Sequence, residues 1–299
     1  MANNFLKKTW VLLKKIFFWV FLLHIAGFLY FIIRKFPVTD FTIAHLQTKV
    51  LIVCGCLLLL GLVYWKWLSK IAVIKRCALL LKEIFFVVYI FFMLNILSGM
   101  VFNPPITITQ LANLVQGNGL KRDHISYQNM GTNIKLAVLA SEDQLFPDHD
   151  GFDLKAIKLA LKYNKRHPGK IRGASTISQQ VAKNIFLYQG GGFFRKGIEV
   201  FFTFTIEQAW TKRIILARYL NVAEMGPGVF GVQAASKKYF NKDAIYLTRA
   251  EAAQIAACLP NPKKYSVNPL SNYVARRASY ILRQMNNLES DPDIQNLIR

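Results

Sequence analysis

The chain has 299 residues, 53% of them hydrophobic, and its mean hydropathy of +0.27 is too high for an ordinary soluble domain. Its 38 Lys and Arg residues against 16 Asp and Glu give a formal net charge of +22. Such an excess indicates an anionic partner: nucleic acid, acidic lipid headgroups or a phosphorylated substrate. The four cysteines form no CxxC or Cys/His pattern, so neither a zinc site nor a disulfide framework is indicated, and Cys258 is predicted to be a small buried apolar residue.

Three apolar runs lie at 16–33, 50–67 and 84–102. Each is close to the roughly 20 residues that a helix needs to cross a membrane. Basic residues cluster before the first run and between the second and third, whereas none follows the third run before Lys121. The positive-inside rule therefore predicts a cytoplasmic N-terminus, and three crossings place everything after Phe102 on the outer face of the membrane.

The rest of the chain divides by composition into three parts. Residues 103–133 begin with Asn-Pro-Pro and contain three glycines, which is typical of a linker. Residues 134–285 have helical periodicity and the length of a single domain, and 286–299 are expected to form a C-terminal tail. The fold class predicted is mostly α, with N-terminal transmembrane helices followed by an all-helical domain.

Local signals support helices in this domain. Asp153 is placed to cap the helix that follows it. Thr176 with Gln179, and Thr248 with Glu251, have the spacing of capping boxes.

The sequence Ser-Glu-Asp at 141–143 follows an apolar helical segment at 134–140. A carboxylate that is half buried at such a position can have a raised pKa and accept a proton, which makes Glu142 a candidate base. The alternative is a solvated helix end with local hydrogen bonds. His149 is predicted to be structural, since no second His or Cys stands at metal-ligand spacing.

Residues 173–180 open a helix with small, hydroxyl and amide side chains. The free N–H groups at such a helix start can bind an anion or sugar hydroxyls, and Lys183 adds a positive charge one turn later. A well-capped helix without a ligand explains the same pattern.

A glycine-rich stretch at 190–192 lacks the GK[ST] ending of a P-loop, which argues against nucleotide binding. Arg195 and Glu199 stand four residues apart, the spacing of a helical ion pair. Aromatic residues surround them and fit either a core or a segment that enters the membrane interface. These aromatic residues are Phe193, Phe194, Phe201, Phe202 and Phe204.

In chain order these segments resemble glycosyltransferase family 51, the peptidoglycan polymerases, and among them the monofunctional biosynthetic transglycosylases. The resemblance runs from about residue 134 to 283, and the segment 222–231 looks like the monofunctional enzymes of Gram-negative bacteria. The motifs are E-D-x-x-F-x-x-H-x-G from Glu142, G-x-S-T-I-x-Q-Q from Gly173, R-K-x-x-E from Arg195, K-x-x-I-L-x-x-Y-L-N from Lys212 and R-A-E-A-A from Arg249.

The resemblance implies a lysozyme-like helical domain that polymerises lipid II, a disaccharide-pentapeptide on undecaprenyl pyrophosphate, with inversion to a β-1,4 bond. It makes Glu142 the general base and gives Glu199 an assisting role on the donor side. It specifies no cofactor but leaves room for a divalent cation, Mg²⁺ or Mn²⁺, at the pyrophosphate. The residues that it assigns to substrate binding are Lys183, Arg195 and Lys196 at the leaving group, and Ser175, Gln179 and Gln180 in the same cleft.

Two features depart from the family pattern. Monofunctional members usually have one membrane span, whereas three are predicted here, so the first two have no role that the resemblance supplies. Ala217 stands where many members have Glu in the fourth motif.

The resemblance places the enzyme in a bacterial inner membrane with its catalytic domain in the periplasm. Its expected partners are lipid II, the growing glycan chain, membrane lipids and other cell-wall or division proteins. Two alternatives remain: a lysozyme-like lytic enzyme and an inactive scaffold of the cell-wall machinery. Nucleic-acid binding is disfavoured because about a third of the basic residues flank the membrane runs. A bifunctional penicillin-binding protein is excluded because the sequence has no Ser-x-x-Lys, Ser-Asp-Asn or Lys-Thr-Gly motif.

Overall fold

The structure is a computed structural model that describes residues 2–35, 41–169, 172–188, 190 and 192–299, with the backbone alone at 2–7, 41–51, 53–54 and 193. The chain forms two compact units, Met1–Asn95 and Ile96–Arg299. The first is built from long apolar helices, and the second carries every predicted site residue.

The first unit consists of α1 (Ala2–Lys35), α2 (Phe41–Lys66), a 3-10 turn and α3 (Ala72–Ser98), whose last turn belongs to the second unit. In the described residues, the segments Lys8–Lys35 and Ala72–Ser98 are long and apolar enough to cross a membrane. Such helices are those of a membrane-anchored protein, and most of their described large apolar side chains are exposed.

The helices extend beyond the apolar runs that the sequence predicted. The runs at 16–33 and 50–67 lie mostly inside α1 and α2, where helical hydrogen bonding continues into the basic flanks because Lys and Arg are good helix formers. The run at 84–102 corresponds to α3, but the helix ends at Ser98 and the chain turns before Asn-Pro-Pro. Within the described residues, the second run qualifies only as a shorter apolar helix, Gly55–Lys66.

The second unit is mostly helical, as predicted. Helix α5 is buried along nearly its whole length and packs against α11 and α12, while α7 packs against α8 and α9. The helices of this unit are α4 (Ile108–Val115), α5 (Thr132–Glu142), α6 (Leu154–Arg166), α7 (Ile177–Phe186), α8 (Phe193–Ala209), α9 (Lys212–Val222), α10 (Val232–Phe240), α11 (Arg249–Cys258), α12 (Asn272–Leu288) and α13 (Pro292–Ile298).

A small sheet accompanies these helices. Its strands are β1 (Lys121–Arg122), β2 (Glu224–Gly226) and β3 (Val229–Phe230), in the order β1-β3-β2. The central strand β3 runs parallel to β1 and antiparallel to β2. The sheet thereby joins the segment before α5 to the loop after α9.

The capping signals in the sequence are confirmed. The Asp153 side chain accepts from the backbone N–H of Ala156, and the Thr176 and Thr248 pairs form complete capping boxes. Cys258 is fully buried, also as predicted.

Residues 103–133 differ from the predicted linker, because they fold as part of the second unit. Thr107 and Gln110 form a capping box that starts α4, and the phenol of Tyr127 donates to the carbonyl of Leu297 at 2.6 Å. Helix α4 buries its polar face and exposes its apolar one. A sequence analysis that expects apolar residues to be buried does not predict this inverted pattern.

Residues 286–299 also differ from the predicted tail. Helix α12 extends to Leu288, and α13 buries Ile294, Leu297 and Ile298. The carbonyl of Ile298 accepts from the Lys135 ammonium at 2.9 Å. This short segment is ordered by tertiary packing, since an isolated helix of this length is unstable in water.

Candidate active site

The candidate base Glu142 is the last residue of α5, a helix whose preceding residues 134–140 are all buried. The residue is half-buried, and its carboxylate accepts a hydrogen bond from Gln180 Nε2 at 2.9 Å and from Ser141 Oγ at 3.1 Å. Both partners are neutral. The carboxylate is therefore oriented without being neutralised by direct contact with a cation.

This environment changes the acidity of the carboxyl group. Burial raises the pKa of Glu142 above its usual value, while the hydrogen bonds from Gln180 and Ser141 and the charge of Arg277 offset part of the effect. A carboxylate with a raised pKa is a better proton acceptor than an ordinary glutamate. The arrangement is thus chemically suited to general-base work.

The neighbouring Asp143 has a different task. It is buried, its carboxylate contacts His149 Nε2 at 3.0 Å, and its Oδ2 accepts from the backbone N–H of Ile177 at 2.9 Å. Because Ile177 is the first residue of α7, Asp143 occupies the start of that helix. His149 is then structural, as its isolation in the sequence predicted, and the pair holds α7 beside the end of α5.

The three predicted substrate contacts at the start of α7 fall into different surroundings. Gln180 reaches Glu142, and Ser175 is exposed. Gln179 is buried, and its side-chain carbonyl accepts from the backbone N–H of Thr176 at 3.1 Å. The Gln179 side chain therefore stabilises the helix start, and its role as a substrate contact stays a prediction, as does that of Ser175.

Lys183 lies three residues after Gln180 on α7, near both candidate glutamates. Burial lowers the pKa of Lys183; Glu199 and Glu142 oppose this effect, whereas Arg195 and Lys196 add to it. No carboxylate among the described residues lies within ion-pair distance of its ammonium. This ammonium remains available to an anionic ligand.

The third motif lies on α8, where one buried carboxylate holds two cations. Glu199 is 2% exposed, Arg195 Nη1 donates to its Oε2 at 2.9 Å, and Lys196 donates to its Oε1. The sequence left open an exposed helical ion pair of little energetic weight, but this carboxylate is buried. Glu199 fixes the positions of two cations near Lys183.

The aromatic residues of α8 divide between the two interpretations that the sequence left open. Phe202 and Phe204 are buried in the core, whereas Phe194 is 82% exposed. The side chain of Phe193 lies outside the described part of the chain. An exposed aromatic beside Arg195 and Lys196 suits a membrane interface.

The side chains around Glu199 bear on the divalent cation that the resemblance left open. Both oxygens of Glu199 already accept hydrogen bonds from cationic side chains, which a metal ion would have to displace. In the described residues, no three His, Cys, Asp or Glu side chains are grouped as metal ligands. As arranged, the side chains around Glu199 fit an anion better than Mg²⁺ or Mn²⁺.

Two further residues reach this site that sequence reasoning did not assign to it. The Tyr219 hydroxyl on α9 donates to Gln180 Oε1 at 3.2 Å, and Arg277 on α12 donates to the carbonyl of Ser141 at 3.3 Å. Tyr219 belongs to the fourth motif, so the sequence contained a signal that could have identified it as a site residue. Arg277 lies more than 130 residues from Glu142 along the chain, and no local pattern links the two.

Known proteins match the part of the chain that contains these motifs. The family model described as Transglycosylase matches residues 108–286, more than half of the chain, so the match begins at α4. The chain is 53% identical over 169 residues to a protein named biosynthetic peptidoglycan transglycosylase from Pectobacterium carotovorum subsp. carotovorum strain PC1, an alignment that covers 56% of this chain and 69% of that protein.

A second relative with the same name, from Escherichia coli O81 strain ED1a, is 52% identical over 173 residues, covering 58% of this chain and 72% of that protein. The motifs, the helical domain and these matches agree. The chain therefore belongs to the transglycosylase family and is a glycosyltransferase similar to the monofunctional biosynthetic peptidoglycan transglycosylases.

Proposed function

We propose that this enzyme polymerises lipid II into β-1,4-linked glycan strands of peptidoglycan, with Glu142 as the general base. The observation that carries the proposal is the hydrogen bond from Gln180 to Glu142. Gln180 lies on α7, and the same helix places Lys183 near Glu199. A proton acceptor and a group of cations thus share one site. Glycosyl transfer from a pyrophosphate donor needs both.

The reaction begins at the acceptor hydroxyl. A sugar hydroxyl is a poor nucleophile until a nearby base takes its proton, and Glu142 accepts that proton. The oxygen then attacks the anomeric carbon of the α-linked donor from the opposite face. The bond between this carbon and the pyrophosphate oxygen breaks, its electron pair leaves with the pyrophosphate, and the new linkage is β.

Negative charge develops on the departing pyrophosphate, and cations near it lower the barrier. The Lys183 ammonium has no carboxylate contact within the described ranges, while Arg195 and Lys196 are held by Glu199. We propose that these three side chains neutralise the leaving group. Glu199 then acts by positioning cations, and no step requires a divalent cation at its carboxylate.

The same features favour synthesis over lysis. Hydrolysis of a glycan chain releases a sugar hydroxyl and has no pyrophosphate to neutralise, so it gives the cations of α7 and α8 no role. Exposed Phe194 beside these cations fits a substrate whose lipid remains in the membrane.

We propose a multi-pass topology with the catalytic unit in the periplasm. Helix α2 has 26 residues, and at a rise of about 1.5 Å per residue it is longer than the ~30 Å hydrocarbon core. With three crossings, the basic N-terminal segment is cytoplasmic and Arg299 is periplasmic. An alkaline phosphatase fused after Arg299 is expected to be active and a fluorescent protein there dark; the reverse result contradicts the topology.

The central experiment is polymerisation of purified lipid II by the full chain in detergent. General-base catalysis contributes about 10²–10⁴-fold, so Glu142→Gln is expected to lose activity by that factor while remaining folded. Glu289→Gln is the matched control, because Glu289 is an exposed glutamate paired with Arg249 far from the site in sequence. Near-normal polymerisation by Glu142→Gln contradicts the assignment of the base.

The products distinguish the alternatives. Long glycan from lipid II indicates a polymerase, whereas shortened or anhydro-ended fragments of cell wall indicate a lytic enzyme. An inactive scaffold gives neither product. Because the cations near Glu199 come from the protein, most of the polymerising activity is expected to persist in a chelator, and its complete loss contradicts this account of the leaving group.

A further inference from the structure

A polar cavity lies within the catalytic unit, on a different face of α9 from Tyr219. Its volume is about 450 Å³, within the range of ligand-binding cavities. Positions 214, 217, 218 and 221 of α9 line it, which is the spacing of one helical face. None of the residues proposed above for catalysis or substrate binding lines this cavity, so the proposed chemistry leaves it without a role.

The charged residues that line the cavity are cations. Arg213 and Arg218 both line it, and no Asp or Glu is among its lining residues in the described part of the chain. Arg218 is 7% exposed and donates from Nε to the carbonyl of Gly99 at 2.8 Å and from Nη1 to Asn103 Oδ1 at 2.6 Å. These acceptors are neutral. A buried guanidinium that has no carboxylate partner is stabilised by a bound anion.

A ring nitrogen of His124 has no hydrogen-bond partner in the part of the chain that the structure describes. His124 lines the cavity, and this nitrogen, Nε2, is buried. Burial, with the charges of Arg122 and Arg218, lowers the pKa of His124, while the charge of Asp123 opposes this. The neutral ring retains one N–H donor, and exposed Ser126 at the rim supplies a hydroxyl.

The position of the cavity identifies the source of the anion. Val101 and Asn103 line it, only a few residues after α3 ends at Ser98. Val101 is 72% exposed and Phe102 69%, and α4 follows with its apolar face outward. An apolar helix end followed by exposed apolar side chains is typical of the membrane interface, where lipid phosphates lie.

We propose that the cavity between α9 and the segment after α3 binds the phosphate of an anionic phospholipid headgroup. Arg213 and Arg218 contact the phosphate oxygens, since guanidinium donors match phosphate geometry. The acyl chains extend along the exposed apolar side chains that follow α3. The lipid thus anchors the catalytic unit at the membrane surface, apart from the proposed reaction site.

Position 217 gives the test a matched pair of variants, because Ala217 is buried, lines the cavity and lies one residue from Arg218. Ala217→Glu places a carboxylate beside the arginines, and Ala217→Gln adds the same volume without charge. The full chain in neutral detergent is titrated by calorimetry with short-chain phosphatidylglycerol, short-chain phosphatidylcholine or inorganic phosphate. Lipid II is absent, so the result does not depend on the proposed catalytic function.

Phosphatidylglycerol is expected to bind wild type at least tenfold more tightly than phosphatidylcholine or inorganic phosphate does. Ala217→Glu is expected to bind it at least tenfold more weakly than Ala217→Gln. Equal affinities of these two variants overturn the site. Inorganic phosphate that binds as tightly as the lipid overturns the lipid assignment in favour of a free anion.

Arg213→Gln is the variant for the same titration if both Ala217 variants fail to fold. Arg213 is exposed and its described contact is with the ring of Tyr127, so its replacement is expected to leave the fold intact. It is expected to weaken phosphatidylglycerol binding several-fold and to leave phosphatidylcholine binding unchanged. Unchanged phosphatidylglycerol affinity in this variant also overturns the proposal.

Discussion

The two candidate glutamates of the site sit in opposite environments. Glu142 is a half-buried residue whose carboxyl group has a pKa raised by burial, and the hydrogen bonds it accepts come from the neutral Gln180 and Ser141. Glu199 is buried, and each of its oxygens accepts from a cation, Arg195 or Lys196. The carboxylate of Glu142 is therefore contacted by neutral donors, whereas that of Glu199 is paired with two cations.

The difference shows how the surroundings of a carboxylate determine its role. A proton acceptor must be able to gain a proton, so a raised pKa and neutral donors suit it. A carboxylate that positions cations holds them by direct charge-assisted hydrogen bonds, as Glu199 does with Arg195 and Lys196. We therefore propose proton transfer for Glu142 and the positioning of cations for Glu199.

The largest effect expected from this comparison is on stability at Glu199. Glu199→Gln leaves the mostly buried Arg195 without its carboxylate, and breaking a buried ion pair costs about 3–5 kcal/mol. We expect the thermal midpoint of the catalytic unit to fall by on the order of 10 °C. In the double variant Glu199→Gln with Arg195→Gln, part of this loss is expected to be recovered, which a purely steric effect of the amide does not explain.

Glu142→Gln is expected to change stability in the opposite direction. The pKa of Glu142 is higher in the folded chain than its usual value, so its contribution to stability is present at low pH and is lost as pH rises through the folded pKa. The variant should therefore have a higher thermal midpoint than wild type at neutral pH and an equal one at acidic pH. A lower midpoint at neutral pH contradicts the environment described for Glu142.

The pH dependence of activity tests the environments described for Glu142 and Lys183. Activity should fall on the acid side as the raised pKa of Glu142 is crossed, and on the alkaline side as Lys183, whose pKa is lowered by burial, loses its charge. The hydrogen bond from Gln180 lowers the pKa of Glu142, so Gln180→Met should move the acid limb of kcat/KM to higher pH. An acid limb that moves to lower pH, or does not move, removes this role for Gln180.

The smallest effect is expected at Tyr219, whose hydroxyl donates to Gln180 and not to Glu142 itself. Tyr219→Phe removes one neutral hydrogen bond, worth about 0.5–1.5 kcal/mol, and should lower kcat by roughly two- to tenfold with KM nearly unchanged. Tyr246→Phe is the control, since Tyr246 is an exposed tyrosine of another segment. Equal rates for the two variants contradict a positioning role for Tyr219.

Much of the candidate site could be predicted because its parts are local in sequence. Glu142 follows an apolar helix, the capping box at Thr176 and Gln179 starts α7, and Arg195 with Glu199 has helical spacing. Each pattern depends on residues within a few positions of one another. Backbone geometry converts such spacings directly into shared faces and helix ends.

The missed features depend on contacts between distant segments. The helix in the expected linker exposes its apolar face, and the expected tail is ordered by packing around Tyr127 and Lys135. Arg277 reaches the carbonyl beside Glu142 from α12. Neither hydrophobic periodicity nor composition predicts contacts between segments that are far apart in the sequence.

By itself, the sequence determined the helical class, the apolar helices and the family, and it singled out the two candidate carboxylates. Only the tertiary structure decided which carboxylate is paired with cations, and that buried Arg218 has no carboxylate partner among the described residues. The physical reason is that charge and burial depend on neighbours supplied by other helices. The strength of a base or a cation is therefore a property of the packed fold.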